Sequence, residues 1–377
     1  MSDHQANLLE AIARRQPLET FTLESAPAYF ETHQGQRTAG TASVLVSRAS
    51  IAIRFDAPNG LDVPKAGYGE SNGKIVSADG QWSAPNVNDA GAASDGQRLF
   101  DTMALVVGRD DAREVAATRL VMAGAAWQGM GVLDGRRVIV RPLSRDVTSH
   151  HDERMGLTIA GGLDDAGIQT LGRATSFVCG LDAEILRVES YAADGTLLRA
   201  RYLRGFRRVG RGPHCPFVGV SDDDRMRALV AVATAIPRLL KEGLPIDMVL
   251  DQMSAHNQVS QIHLGAPFML LPTLTIAYHR MHGDVLDGGA ASRREELARL
   301  NRELKLELNA DALERFENLR VEILEAGYFH APGYETGRPQ KDIKFIRDLA
   351  HKIVLRLCGY TGPYYVAERF AVGELTA

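Results

Sequence analysis

ENLRVEILEAGYFHAPGY (residues 317–334) and KFIRDLAHKIVLRLCGYTGPYY (344–365) decide how the C-terminal half of the chain is read. Both are helical in period, and the segment between them is polar, with Gly, Pro and Tyr. In the second, Ile346, Leu349, Ile353, Val354 and Leu357 continue a stripe begun by Ile343. Apolar residues three and four apart share one face of a helix, and Gly359 follows as a stop signal. Upstream, VGVSDDDRMRALV opens another helix: Ser221 with Asp224 three residues on resembles a capping box, and three acids suit a helix N-terminus. Met226, Leu229, Val230, Ile236, Leu239 and Leu240 continue it, with Pro237 expected to kink or shorten it. PIDMVLDQMSAHN, SRREELARLNRELKLEL and DALERFENLRVEILEAG are helical too. Residues 218–377 are therefore expected to form an all-α bundle.

The first 215 residues have a different period. In TASVLVSRASIAIRF (41–55), Ile51, Ile53 and Phe55 alternate with Ala52 and Arg54, as in a half-buried strand. GVLDGRRVIVRPL (131–143) reads as a hairpin turning at Asp134-Gly135. AEILRVESYAADGTLLRARYLRGF (183–206) reads as a second hairpin, around Asp194-Gly195. Short strands with frequent turns, after a short N-terminal helix, predict a sandwich- or barrel-like module over 1–215. The fold class expected is α+β: this β-rich module followed by the helical domain at 218–377.

Composition narrows the function classes. The chain has 377 residues, 45% apolar and 24% charged, the balance of an ordinary globular protein. Its net charge of -4 supplies no global field for nucleic acid or anionic membrane, so such binding needs a local patch. Cys179, Cys215 and Cys358 are too few and too scattered for a disulfide framework, and a reducing cytoplasmic compartment is expected. LGAPFMLLPTLTIAY (264–278) is broken by two prolines and falls short of the ~20 residues of a membrane helix. No G-x-G-x-x-G follows a strand, and P-loop and G-x-S-x-G patterns are missing, so no cofactor is expected.

The C-terminal stretches resemble the HEPN superfamily, in particular its abortive-infection (ApeA-like) type with a β-rich N-terminal module. That family carries LRN-x-I-x-H-x-G on one helix and L-x-R-L-L-G-Y-x-G-x-Y at the end of the last. Leu319, Arg320, Ile323, Gly327 and LRLCGYTGPY keep the frame, while Val321 and Glu325 stand where the family has Asn and His. The resemblance implies a homodimeric helical domain in a bacterial defence or toxin-type system, binding RNA or a partner protein. In active members Arg and His cleave RNA without metal. Histidine can serve as base and acid because its pKa is ~6.5. Glutamate, at ~4.3, is anionic and repels phosphate, so Arg320 and Glu325 predict a degenerate ribonuclease site. The alternatives are an active metal-independent endoribonuclease using Arg320, or Arg347 with His351 one helical turn on, and a ligand-binding protein acting through the β-rich module. His330, ten residues after Arg320, is a further histidine near the frame.

RARYLRGFRRVGR (199–211) is the best nucleic-acid patch. Arg199, Arg201, Arg204, Arg207, Arg208 and Arg211 interleave with Tyr202 and Phe206, pairing phosphate contact with base stacking. SHHDER offers His150, His151, Asp152 and Glu153, but adjacent side chains point apart and no second cluster has ligand spacing, so no metal is expected. His214 beside Cys215 lacks a C-x-x-C partner, and His256 and His263 fit capping or packing.

Overall fold

The computed structural model describes residues 3–16, 21–47, 50–58, 61, 63, 71–92, 97–108, 114–123, 127–144, 154–180, 183–203, 215–255, 278–279, 282, 290–320 and 338–376. The chain divides into two units that interleave in sequence. The first takes residues 1–128, 136–164 and 184–208, and the second takes 129–135, 165–183 and 209–377.

In the first unit, strands β1 (Phe21–Glu31), β2 (Arg37–Val46), β3 (Ile51–Asp56), β4 (Gly73–Ser77), β5 (Trp82–Ala92) and β6 (Arg98–Thr102) hydrogen-bond in the order β4-β1-β2-β3-β6-β5. A further pairing of β4 with β5 closes them into a six-stranded antiparallel barrel. Closure removes the two free edges that an open sheet exposes. Ile51, Ile53 and Phe55 point inward as the alternation predicts, and Phe30 stacks on Phe100 at 5.4 Å within the barrel core.

The ladder continues through β7 (Ala104–Val107), β13 (Leu197–Leu203), β12 (Glu184–Tyr191), β8 (Ala117–Ala123), β11 (Arg154–Ala160) and β10 (Arg136–Ser144). Both β8 and β11 are buried at every residue. Helix α1 (Asp3–Ala13) buries Leu9, Ile12 and Ala13 against Ala117, Ile139, Ala160 and Tyr191. The β12–β13 hairpin turns where predicted. Gly195 takes φ +81°, and a Cβ there would crowd Leu8 at 3.3 Å, so glycine suits the backbone and the space alike. Asp134 and Gly135 both have positive φ, after β9 (Gly129–Leu133), as a two-residue hairpin turn needs.

The second unit holds β9 and α2 (Asp165–Cys179), then α3 (Asp222–Lys241), α4 (Ile246–Ala255), α5 (Ala290–Glu303), α6 (Ala310–Arg320) and α7 (Arg338–Leu357). It ends in an antiparallel ribbon of β14 (Gly362–Val366) and β15 (Ala371–Leu375). The α+β expectation of a β-rich module followed by an all-α HEPN-like bundle is thus corrected. A 13-stranded sheet dominates the molecule, and the C-terminal half is not all-α. The physical reason lies just past the last helix. Gly359, at φ +69°, stops α7, and Gly-Pro-Tyr-Tyr-Val then alternates buried Gly362 and Tyr364 with less buried Pro363 and Tyr365, a strand period.

Helix α3 starts as predicted: the Ser221 hydroxyl accepts from the Asp224 backbone N–H at 3.2 Å. Pro237 does not end it, and helix continues to Lys241 over a buried face of Met226, Leu229, Val232, Ile236 and Leu239. Ser221→Ala is expected to lower stability by about 1 kcal/mol, measured as a shift in urea midpoint at unchanged slope.

Candidate functional site

The loop between α5 and α6, the start of α6, one face of α7 and the terminal ribbon line a cavity of about 450 Å³ in the second unit. Local chemistry shapes each wall. The Asn301 side chain clamps Leu308, donating to its carbonyl and accepting from its N–H at 2.9 Å each. Between them Lys305 and Glu307 take positive φ, near +50° and +56°, a conformation uncommon outside glycine. Asn309 then caps α6, accepting from the Ala312 N–H at 2.8 Å. These contacts bring Leu306, Glu307 and Leu308 to the cavity wall.

The guanidinium carbon of Arg315 on α6 sits over the Phe345 ring, 4.4 Å from its centroid. Its guanidinium reaches Asp342 at 2.8 Å and also pairs with Glu368. Lys352 donates to the Leu306 carbonyl and sits 3.4 Å from Glu307. Burial pushes its pKa down, in part offset by Glu307. Asp348 accepts the backbone N–H groups of Ala367 and Glu368 at 2.9 Å, one on each oxygen, which pins the turn after β14 to α7. Burial raises its pKa despite those two donors.

Five carboxylates (Glu307, Asp311, Asp348, Glu368, Glu374) and three cations (Arg315, Lys352, Arg369) line the cavity. Two of the cations already have carboxylate partners. Asp311 and Glu374 are exposed. The cavity is therefore negative on balance and open to solvent at its acidic rim.

None of the described residues that sequence singles out for catalysis or nucleic-acid binding lines this cavity. Arg347 and His351 do lie one turn apart on α7, but they are only 8% and 7% exposed and do not line this cavity. Burial lowers the Arg347 pKa to about 10. Burial, and then the Arg347 charge, lower that of His351 to about 3. The His351 ring packs edge-on against Phe177 at 5.7 Å. It is a neutral core imidazole, not one poised to exchange protons near neutral pH. Arg320 is the last described residue of α6, and Glu325 and His330 lie outside the described residues. Arg199 is exposed and Arg201 half-buried on β13, whereas Arg204, Arg207, Arg208 and Arg211 lie outside the described residues. So do His150, His151, Asp152, Glu153, His214, His256 and His263. Among the described residues no group of three His, Cys, Asp or Glu is placed to hold a metal, and no helix is long and apolar enough to cross a membrane.

Sequence reasoning missed the cavity because its charges come from three separated segments, 306–315, 345–352 and 364–374. In DALERFENLRVEILEAG, Arg315 reads only as part of a helical segment. Comparison with known proteins finds no matching family model, no matching curated protein and no matching solved structure.

Proposed function

We propose that this chain is a binding protein whose second unit takes a small amine-bearing molecule in the cavity between α6, α7 and the β14–β15 ribbon. The observation that carries this reading is the excess of carboxylates around a cavity of about 450 Å³. That volume is ordinary for small-molecule sites, which span roughly 300–1,000 Å³. Leu306, Leu308, Phe345, Leu349 and Val366 offer apolar wall for a hydrocarbon stem. A protonated amine would meet Asp311 and Glu374 at the rim, where carboxylates lack cationic partners among the described residues. Binding rather than turnover is favoured because Asp348, the buried carboxylate, has both oxygens occupied by backbone N–H groups. It holds the wall together.

Titration calorimetry with a panel of spermidine, a lysine-containing tripeptide and their acetylated counterparts tests the reading. The free amines are expected to bind, the acetylated forms to bind more weakly, and affinity to fall as salt rises. Exposed ion pairs are each worth about 0.2–1 kcal/mol, so Asp311→Asn with Glu374→Gln is expected to weaken binding by about twofold to thirtyfold. Equal affinity for free and acetylated compounds, or an unchanged double variant, sinks the proposal.

A further inference from the structure

The first unit contains a second concentration of charge, and this one is buried. Strand register sets Arg119 on β8, Thr158 on β11 and Glu189 on β12 abreast. Two residues along, and so on the same face of the sheet, Val121, Gly156 and Arg187 stand abreast. Arg119 and Glu189 are each 1% exposed, Thr158 is fully buried, and Arg187 is 8% exposed.

Glu189 is the shared acceptor of three donors. One oxygen pairs with Arg187, while the other accepts from Arg119 at 3.3 Å and from the Tyr191 hydroxyl at 2.6 Å. Arg119 also donates to the Arg15 carbonyl. Two largely buried guanidiniums thus share one carboxylate, which leaves a positive charge without an anion among the described residues. Donors remain as well. Arg119 Nε, Arg187 Nε and Nη1, and Thr158 Oγ1 are buried with no hydrogen-bond partner among the described residues. Buried charge and vacant N–H groups are both costly unless an acceptor completes them. A Cβ at Gly156 would stand 3.1 Å from Arg119 Nε and 3.2 Å from Leu143, so glycine makes room for the Arg119 side chain. On its other side Arg187 stacks over the Tyr202 ring at 4.6 Å, which holds the guanidinium plane in place.

We propose that this face of β8, β11 and β12 is a binding site for a phosphate group, held by Arg119, Arg187 and Thr158 beside Glu189. A planar guanidinium fork matches phosphate oxygens, and several acceptor oxygens on one anion answer several vacant donors. The deep burial of all three side chains selects a small anion, inorganic phosphate or the phosphate end of a phosphomonoester. This site is separate from the amine cavity, and neither reading depends on the other.

The test is thermal unfolding of the full chain, followed by tryptophan fluorescence, in phosphate, in ribose 5-phosphate and in chloride at matched ionic strength. Both tryptophans, Trp82 and Trp127, belong to the first unit. A ligand of the folded state raises the midpoint with concentration by mass action. Phosphate or the ester is expected to raise it above chloride. A response to both assigns the site to the phosphate group itself, and a response to the ester alone assigns it to a phosphorylated small molecule. Arg187→Met is expected to weaken the apparent affinity roughly tenfold or more, and Thr158→Val, which keeps shape and loses only the hydroxyl, about threefold. A wild-type midpoint identical in phosphate, ester and chloride overturns the proposal whether or not the arginine variant folds. So does a phosphate response that Thr158→Val and Arg187→Met both retain in full.

Discussion

Acidification from pH 6.5 towards pH 3 is expected to destabilise the second unit strongly through His351 alone. Burial, reinforced by Arg347, lowers the folded-state pKa of His351 from 6.5 to about 3. The unfolded chain therefore binds a proton in this window and the folded chain does not. Stability rises with pH wherever the unfolded state holds more protons. The His351 contribution is complete above pH 6.5 and is lost progressively as pH falls towards the folded value. A shift of this size corresponds to roughly 5 kcal/mol. Urea unfolding followed by helical circular dichroism, at steps from pH 7 to pH 4.5, measures the slope. His351→Leu removes the titrating group while keeping an apolar contact for Phe177. Its urea midpoint should be much less sensitive to pH over the same range. A variant as acid-sensitive as the wild type would show that the imidazole charges without cost and is not buried in the core.

Glu189→Ala is expected to be the most damaging single substitution in the first unit. It removes the common acceptor of Arg119, Arg187 and the Tyr191 hydroxyl. Breaking a buried pair from one side costs about 3–5 kcal/mol, because the surviving charge stays buried without compensation. Here two charges would be stranded. Glu189→Gln keeps one acceptor oxygen and should lose less. Tryptophan fluorescence against urea separates the two, with the larger fall in midpoint expected for alanine. A loss below about 1 kcal/mol for Glu189→Ala would mean that water or another group already neutralises both arginines.

Much of the local structure was legible because it depends on near neighbours. The alternation of Ile51, Ile53 and Phe55 marked β3, since side chains of a strand point to alternate faces. Asp134-Gly135 and Asp194-Gly195 marked turns, since glycine tolerates the positive φ found at 135 and 195. Ser221 marked the start of α3 through a bond to a residue three positions away. Ile346, Leu349, Ile353, Val354 and Leu357 marked the buried face of α7, and all five are buried.

Pairing between distant segments was not legible. The barrel closes because β4 meets β5 on one side and β1 on the other, and each strand alone would serve an open sandwich equally well. The ribbon after α7 was hidden because Gly362–Leu375 is short, and two strands acquire their meaning only from each other. Site chemistry was the least legible. Within ATRLVMA, Arg119 looks like a lone charge in an apolar strand; its acceptor is 70 residues away in Glu189, and its space comes from Gly156 on a third strand. Sequence by itself determined the periods, turns and caps, which are set by bonds and contacts within a few residues. Only the tertiary structure decided which carboxylate meets which arginine, because a buried charge is compensated across strand register and helix packing, and neither is a property of any one segment.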